Sequence, residues 1–295
     1  MSGQLKEVRE RISSVISTQQ ITKAMKMVSA AKLRKAQQAI TEMRPYADRL
    51  DKMLMNIMTN LEGDANSTFG IEREVNHVAI SVITSSKGLC GAFNSNVIKA
   101  AVNKIEGDYA EYLAKGEITL VCVGKKGYEA LQRRYPNLKF VKDYVNLFSD
   151  LNFQTISEVA QHLMDGFENG TYDKVEVCYG QFKNAALQFP IATQYLPVAK
   201  VDTYGKTSKA DYIFEPGKQE LLEELIPTIL QTTYQKFVLD THASEHGARM
   251  TAMDSATENA NELLKDLKIT YNKARQEAIT KELSEIVGGA AALGN

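Results

Sequence analysis

The sequence predicts a mixed α/β protein in which two long terminal helices flank a doubly wound α/β domain. Two observations carry that prediction. Both ends of the 295-residue chain hold apolar residues at helical spacing over unusually long stretches. Between them, runs of apolar and β-branched residues alternate with helical segments, the order expected of a mainly parallel sheet. The expected division is 1–61 for the first helix, 62–215 for the central domain and 216–295 for the second helix.

The first helix comes from a stretch, Gln4 to Leu61, that has no glycine and Pro45 as its one proline. Leu5, Val8, Ile12, Val15, Gln19 and Thr22 recur at alternating steps of three and four. At Met25 and Val28 the stripe continues one residue short of the heptad, and Pro45 should kink the helix or mark a boundary. A helix of this length spans roughly 85 Å, far more than a globular domain needs. Ala24, Ala30, Ala31, Ala36 and Ala39 would let a second helix approach closely.

In the central segment, Val75 to Thr84, Ile118 to Val123 and Val175 to Phe182 read as strands. Helical stretches fall near Asn94 to Leu113, Tyr128 to Tyr135 and Ile156 to Phe167, which makes the domain doubly wound and Rossmann-like. Phe189 to Val198 adds a strand that Pro190 and Pro197 assign to an edge. The second helix should open at Pro216 and run to Gly288, with Pro227 as an early kink. Within it Met250, Met253, Thr257, Ala260, Leu264, Leu267, Tyr271, Ala274 and Ala278 step by three and four without a slip. That 3.5-residue repeat implies a left-handed supercoil with another helix.

A net charge of −1 signals no general affinity for nucleic acid. Locally, Lys6, Arg9, Arg11, Lys23, Lys26, Lys32, Arg34 and Lys35 face only Glu7 and Glu10, so this segment should prefer an acidic partner. Threaded with Met25, Met27 and Val28, and with no aromatic residue before Tyr46, it reads as a protein-contacting face rather than a nucleic-acid arm. Cys90, Cys122 and Cys178 are odd in number and widely spaced, which suggests neither disulfides nor a zinc ribbon and fits a reducing compartment. No run is apolar enough to span a bilayer, and the N-terminus lacks the apolar core of a signal peptide, so no direct membrane insertion is expected.

Three motifs invite chemistry. Ser85-Ser86-Lys87-Gly88-Leu89-Cys90-Gly91 lies between a strand and a helix, a common place for phosphate. No Walker loop exists, because Lys200 stands where Gly205-Lys206-Thr207 would need a glycine, and Gly124-Lys125-Lys126-Gly127 lacks the dinucleotide pattern. A tight turn feeding a helix is the plainer reading. His242-Ala243-Ser244-Glu245-His246 has metallopeptidase spacing, with Glu258 and Glu262 as candidate third ligands. One helix cannot wrap a tetrahedral site, so the histidines should be solvated or partner-facing. A metal-dependent hydrolase and a nucleic-acid-binding coiled coil are the competing readings, to be separated by stoichiometric zinc and by salt-sensitive DNA binding.

The run Ile12-Ser13-Ser14-Val15, Thr18, Ile21-Thr22-Lys23-Ala24-Met25-Lys26-Met27-Val28 and Lys32-Leu33-Arg34-Lys35-Ala36 closely resembles the start of F-type ATP synthase gamma subunits of bacterial type. The other end does likewise, from Ala243-Ser244-Glu245-His246 and Ala248-Arg249-Met250 to Tyr271-Asn272, Arg275-Gln276, Ile279-Thr280 and Glu285-Ile286-Val287. Thr84 to Asn94 is similar to the family's glycine loop, while the redox-regulatory cysteine insert of chloroplast forms is absent.

The resemblance implies an antiparallel coiled coil acting as the non-catalytic central rotor shaft. It turns inside three alpha and three beta subunits, with its foot on the membrane c ring beside epsilon. It implies no cofactor, no metal and a peripheral place on the cytoplasmic side of a bacterial inner (plasma) membrane. Met25, Arg249, Arg275, Gln276 and Thr280 would contact beta, Tyr212 and Phe214 the c ring, and Ile286 and Val287 a bearing. For a hairpin whose helices start level near residues 60 and 217, facing numbers total about 277, which sets Arg249 opposite Val28 and leaves roughly 28 Å of unpaired C-terminal helix.

Overall fold

The computed structural model describes residues 3–60, 68–198 and 218–293. Two helices dominate it, α1 (Gly3–Asn60) and α6 (Lys218–Leu293). Between them lie β1 (Val78–Ile83), α2 (Phe93–Asn103), α3 (Ala110–Lys115), β2 (Ile118–Val123), α4 (Lys125–Arg134), β3 (Lys139–Val141), α5 (Phe153–Glu168), β4 (Lys174–Phe182) and β5 (Gln188–Leu196). By packing, the chain separates into two compact units, Met1–Ser29 with Met250–Asn295, and Ala30–Arg249. The boundary falls inside both long helices.

In the larger unit the sheet order is β3-β2-β1-β4-β5, parallel except for β5, which pairs antiparallel with β4. All six residues of β1 are buried because helices cover both faces, the reason its sequence is a continuous apolar run rather than an alternation. On one face Val78, Ile80, Val82, Leu120 and Cys122 meet Phe93, Val97 and Ala101 of α2 and Leu131 of α4. On the other, Ala79, Ile83, Val121 and Val177 meet Ile156, Leu163 and Phe167 of α5 and Leu230, Tyr234 and Val238 of α6. The expected strands are present, and β5 is the edge strand, where Pro190 opposite Gly180 has no further neighbour to serve.

Several expectations change. β3, only three residues long, was not foreseen from sequence. The helix expected over Asn94 to Leu113 is interrupted by a π turn at Lys104–Asp108. Pro45 lies within α1 and ends nothing, α6 passes through Pro227, and it continues beyond Gly288 to Leu293. Pro216 lies outside the described residues.

The smaller unit is a pair of helical segments held side to side. Thr22 and Thr257 hydroxyls are 2.8 Å apart, Arg9 reaches the Tyr271 hydroxyl at 3.1 Å, and Gln19 with Asn261 and Lys26 with Asp254 form further pairs. Numbers rise on one helix as they fall on the other, so the coil is antiparallel. Lys26 meets Asp254, where the counted register would have offered Thr251, and Thr22 meets Thr257, where it would have offered Ser255, so that count is off by two to three residues, less than one turn. Interlocking side chains, not the level of the helix ends, set the register.

The seam itself also differs. Ser29 is buried while Val28 is 58% exposed, so the stripe does not slip at Met25 and Val28. It keeps the heptad through Lys26 and Ser29, two polar residues that apolar periodicity cannot see. On α6 the burial follows the expected positions, with Met253, Ala260, Leu264, Leu267 and Ala274 buried.

Candidate functional site

The most organised polar cluster of the larger unit joins the loop after β1 to α6. The loop folds on itself. Ser85 N–H donates to Asn94 Oδ1 at 3.0 Å, Asn94 Nδ2 donates to Ser85 Oγ at 2.8 Å, and Ser85 Oγ donates to the Lys87 carbonyl at 2.5 Å. Leu89 sits at φ 62° with its side chain 64% exposed, an uncommon conformation for a branched residue. Facing it on α6 is Arg249, only 6% exposed. Its guanidinium donates to the carbonyls of Gly88 at 3.2 Å and Lys87 at 3.1 Å, and to Glu245 at 2.7 Å.

His246 completes the cluster. Its Nδ1 lies 3.1 Å from Arg249 and its Nε2 lies 3.1 Å from His242 Nε2. Arginine has only donors, so His246 Nδ1 must accept, its proton sits on Nε2, and His242 Nε2 accepts from it. His242 therefore carries its proton on Nδ1, and its ring stacks on Phe148 at 5.9 Å. Burial first, then Lys32 and Arg249, lowers His242 to about 4; burial first, then His242, Arg249 and Lys32, lowers His246 to about 3. Burial pushes the Glu245 carboxyl up, and Arg249 pulls it back. His246 is thus buried and His242 half-buried, both neutral, where solvated or partner-facing histidines were expected.

The cluster's donors and acceptors are committed within the chain. At the start of α4 the Lys126 amide donates to Ser85 O at 3.1 Å and the Gly127 amide to Thr84 Oγ1 at 2.8 Å. These are the groups a phosphate would need at that helix end. Gly124 is required there, since a Cβ would come within 2.0 Å of the Thr84 carbonyl. Ser244 Oγ donates to Gly180 O at 3.0 Å, so α6 packs directly on β4. Among the described residues no group of three or more His, Cys, Asp or Glu side chains could hold a metal ion. Cys90, Cys122 and Cys178 are free and buried, and burial pushes the Cys122 and Cys178 thiols up to about 12.

In the smaller unit, Met25 is half-buried, while Arg275, Gln276 and Thr280 are exposed on α6. Gln276 and Thr280 share an open face of α6 with Lys273, Glu277, Lys281 and Ser284. Further along, Ile286 and Val287 are each 67% exposed, and Ile279 and Leu283 are exposed as well. Tyr212 and Phe214 lie outside the described residues. No described helix is long and apolar enough to cross a membrane.

Comparison with known proteins agrees over the whole length. A family model described as ATP synthase matches residues 4–293. The chain is 50% identical over 99% of both lengths to the ATP synthase gamma chain of Cytophaga hutchinsonii, and 51% identical over 98% of both to that of Flavobacterium psychrophilum. It belongs to the ATP synthase gamma-chain family.

Solved structures share the architecture. The central stalk and c-ring structure of the Tetrahymena thermophila mitochondrial ATP synthase contains a chain matched at TM-score 0.58 and 26% identity, over 80% of this chain and 99% of that one. A chain of the Euglena gracilis mitochondrial enzyme matches in fold at TM-score 0.70 and 22% identity, over 99% of this chain and 95% of that one. Family members are components of a membrane-associated synthase. Of the residues expected to act, Arg275, Gln276 and Thr280 share one stretch of α6, whereas Arg249 is buried against the glycine loop. The sequence gave no sign of that attachment, because its acceptors are backbone carbonyls.

Proposed function

We propose that this chain is the central rotor shaft of an F-type ATP synthase, coupling ion flow through the membrane c ring to nucleotide binding and release at the beta subunits. The carrying observation is similarity to gamma chains over nearly the entire length, supported by a coil that leaves Ile279, Leu283, Ile286 and Val287 open. The terminal segments 1–61 and 216–295 form the shaft and 62–215 its foot. Three alpha and three beta subunits surround the coil, with epsilon and the c ring at the foot. The chain is peripheral on the cytoplasmic side of the bacterial plasma membrane.

The chain itself is non-catalytic and binds no cofactor. An asymmetric rod touches three identical beta subunits differently and shifts each toward a different conformation. A nearly complete shift needs contacts that differ by about 5 kcal/mol between states. Arg275, Gln276 and Thr280 supply charge-assisted and neutral hydrogen bonds to beta, and the half-buried Met25 lies within the basic stretch that faces acidic beta residues. Ile286 and Val287 form the bearing, and Tyr212 and Phe214 belong to the ring-facing foot.

Co-expression with alpha and beta tests the reading. Copurification of one copy of this chain with three of each is expected, and Mg-ATP titrated into the chain alone should show no micromolar binding. Failure to assemble, or tight nucleotide binding by the isolated chain, overturns it.

A further inference from the structure

Ile226, Leu230, Tyr234 and Val238 of α6 are all buried in the apolar cluster that joins this helix to the sheet, and they are spaced by four. Such a row nearly repeats itself. Moved by one helical turn, roughly 5.4 Å, it would set one apolar side chain where another had been, and apolar contact, being non-directional, would resist the step weakly. Hydrogen bonds have direction, and α6 makes them to three strands. Tyr234 shares one with Ser81 of β1 at 2.7 Å, and Tyr195 of β5 donates to the Leu230 carbonyl at 2.9 Å. Gly180 of β4 is held twice, its N–H donating to Thr241 Oγ1 at 3.3 Å and its carbonyl accepting from Ser244 Oγ at 3.0 Å. The β1–β4 ladder has already ended there, with Val82 opposite Cys178, and Pro190 across from Gly180 has no N–H to give. Two hydroxyls one helical turn apart thus stand in for a neighbouring strand. Only glycine fits, since a Cβ would come within 2.4 Å of the Phe93 ring. Ser81, Tyr234, Thr241 and Ser244 are fully buried, out of reach of any partner.

We propose that these bonds key α6 to the sheet. Ser81, Gly180, Tyr195, Tyr234, Thr241 and Ser244 are positioning residues that stop the helix slipping by a turn when force passes between it and the sheet. The bonds stand on geometry, and their mechanical role rests on the rotor reading. Because α6 runs unbroken to Leu293, a slip on the sheet would be lost motion along the rest of the helix.

Two sets of variants test it in the whole synthase, assembled in closed vesicles. Ser81→Ala, Tyr195→Phe and Tyr234→Phe together remove two bonds and orphan no buried group, because the Leu230 carbonyl keeps its helical partner. Thr241→Val with Ser244→Ala removes the other two and orphans both polar groups of Gly180. The readout is ions pumped per ATP hydrolysed, a ratio that a smaller yield of complex does not move. With no opposing gradient the ratio should match that of the unaltered complex in both sets. Against a fixed opposing gradient it should fall by at least about twofold, since a joint that slips does so under load. Thr241→Ser, which keeps the hydroxyl, should hold the unaltered ratio. A ratio that stays unaltered under load in both sets would make the bonds merely structural and overturn the proposal. Should the second set fail to fold, the first decides alone. Failure of the unaltered chain to assemble would overturn the rotor reading and this role with it, a result seen before any variant is made.

Discussion

His246 shows how much one side chain's chemistry depends on its neighbours. Wedged between a donor-only guanidinium and His242, it has one permitted tautomer, and a second proton would point at Arg249. In the folded chain His242 and His246 titrate at about 4 and about 3, against an ordinary 6.5. Because these values are depressed, the unfolded chain takes up protons first as pH falls. The stability contributed by the neutral pair is complete above about pH 6.5 and is lost progressively between there and pH 4 to 3. One histidine shifted by this much contributes on the order of 3 kcal/mol, and the two overlap because they share a hydrogen bond. The thermal midpoint of the chain should therefore drop between pH 6.5 and 4.5, and His246→Gln should make the drop shallower. An identical slope in the variant would assign the pH dependence elsewhere. The metallopeptidase-like spacing was visible in the sequence; the Phe148 ring and the Lys87 and Gly88 carbonyls that close the cluster come from other parts of the fold.

At the level of elements, the antiparallel register is the quantity that the sequence came close to and missed. Thr22 and Thr257 face one another at 2.8 Å, whereas the counted register would set Ser255 against Thr22. Cysteines at positions 22 and 257 should crosslink on mild oxidation, read by mobility on a non-reducing gel, and cysteines at 22 and 255 should not, since a disulfide needs Cβ atoms about 4 Å apart. The exposed Lys26–Asp254 pair adds little stability, with side chains 40% and 46% accessible. It does identify position 26 as a seam position. A search for apolar spacing passed over it, because a lysine that pairs across the coil looks like a surface residue in one dimension.

For the molecule as a whole, the proposed bearing can be separated from the residues that hold the fold, because the coil buries Met253, Ala260, Leu264, Leu267 and Ala274 and leaves other apolar side chains open. Ile286 and Val287, the proposed bearing residues, are each 67% exposed. Replacing both with serine should leave the melting of the free chain nearly unchanged, within about 0.5 kcal/mol. In the assembled complex each should cost about 1–2 kcal/mol of contact, so that heat releases the chain from alpha and beta at a lower temperature. Equal effects on the free chain and the complex would remove them from any bearing.

The fold class was legible because its signals are local and repeated: a heptad along α6, buried apolar runs for β1, β2 and β4, and Pro190 in β5. The short β3 and the π turn at Lys104–Asp108 were not, since neither has a periodicity long enough to register. The family was legible because motifs at both ends are specific sequences. By itself, then, the amino-acid order determined two long helices, a parallel sheet between them and membership of a family. Tertiary structure alone decided the shift of two to three residues in register, the burial of Ser29 instead of Val28, and the attachment of Arg249 to the carbonyls of Lys87 and Gly88. Each depends on which groups are neighbours across more than 150 residues of chain, and backbone acceptors, identical at every position, leave no mark in a sequence.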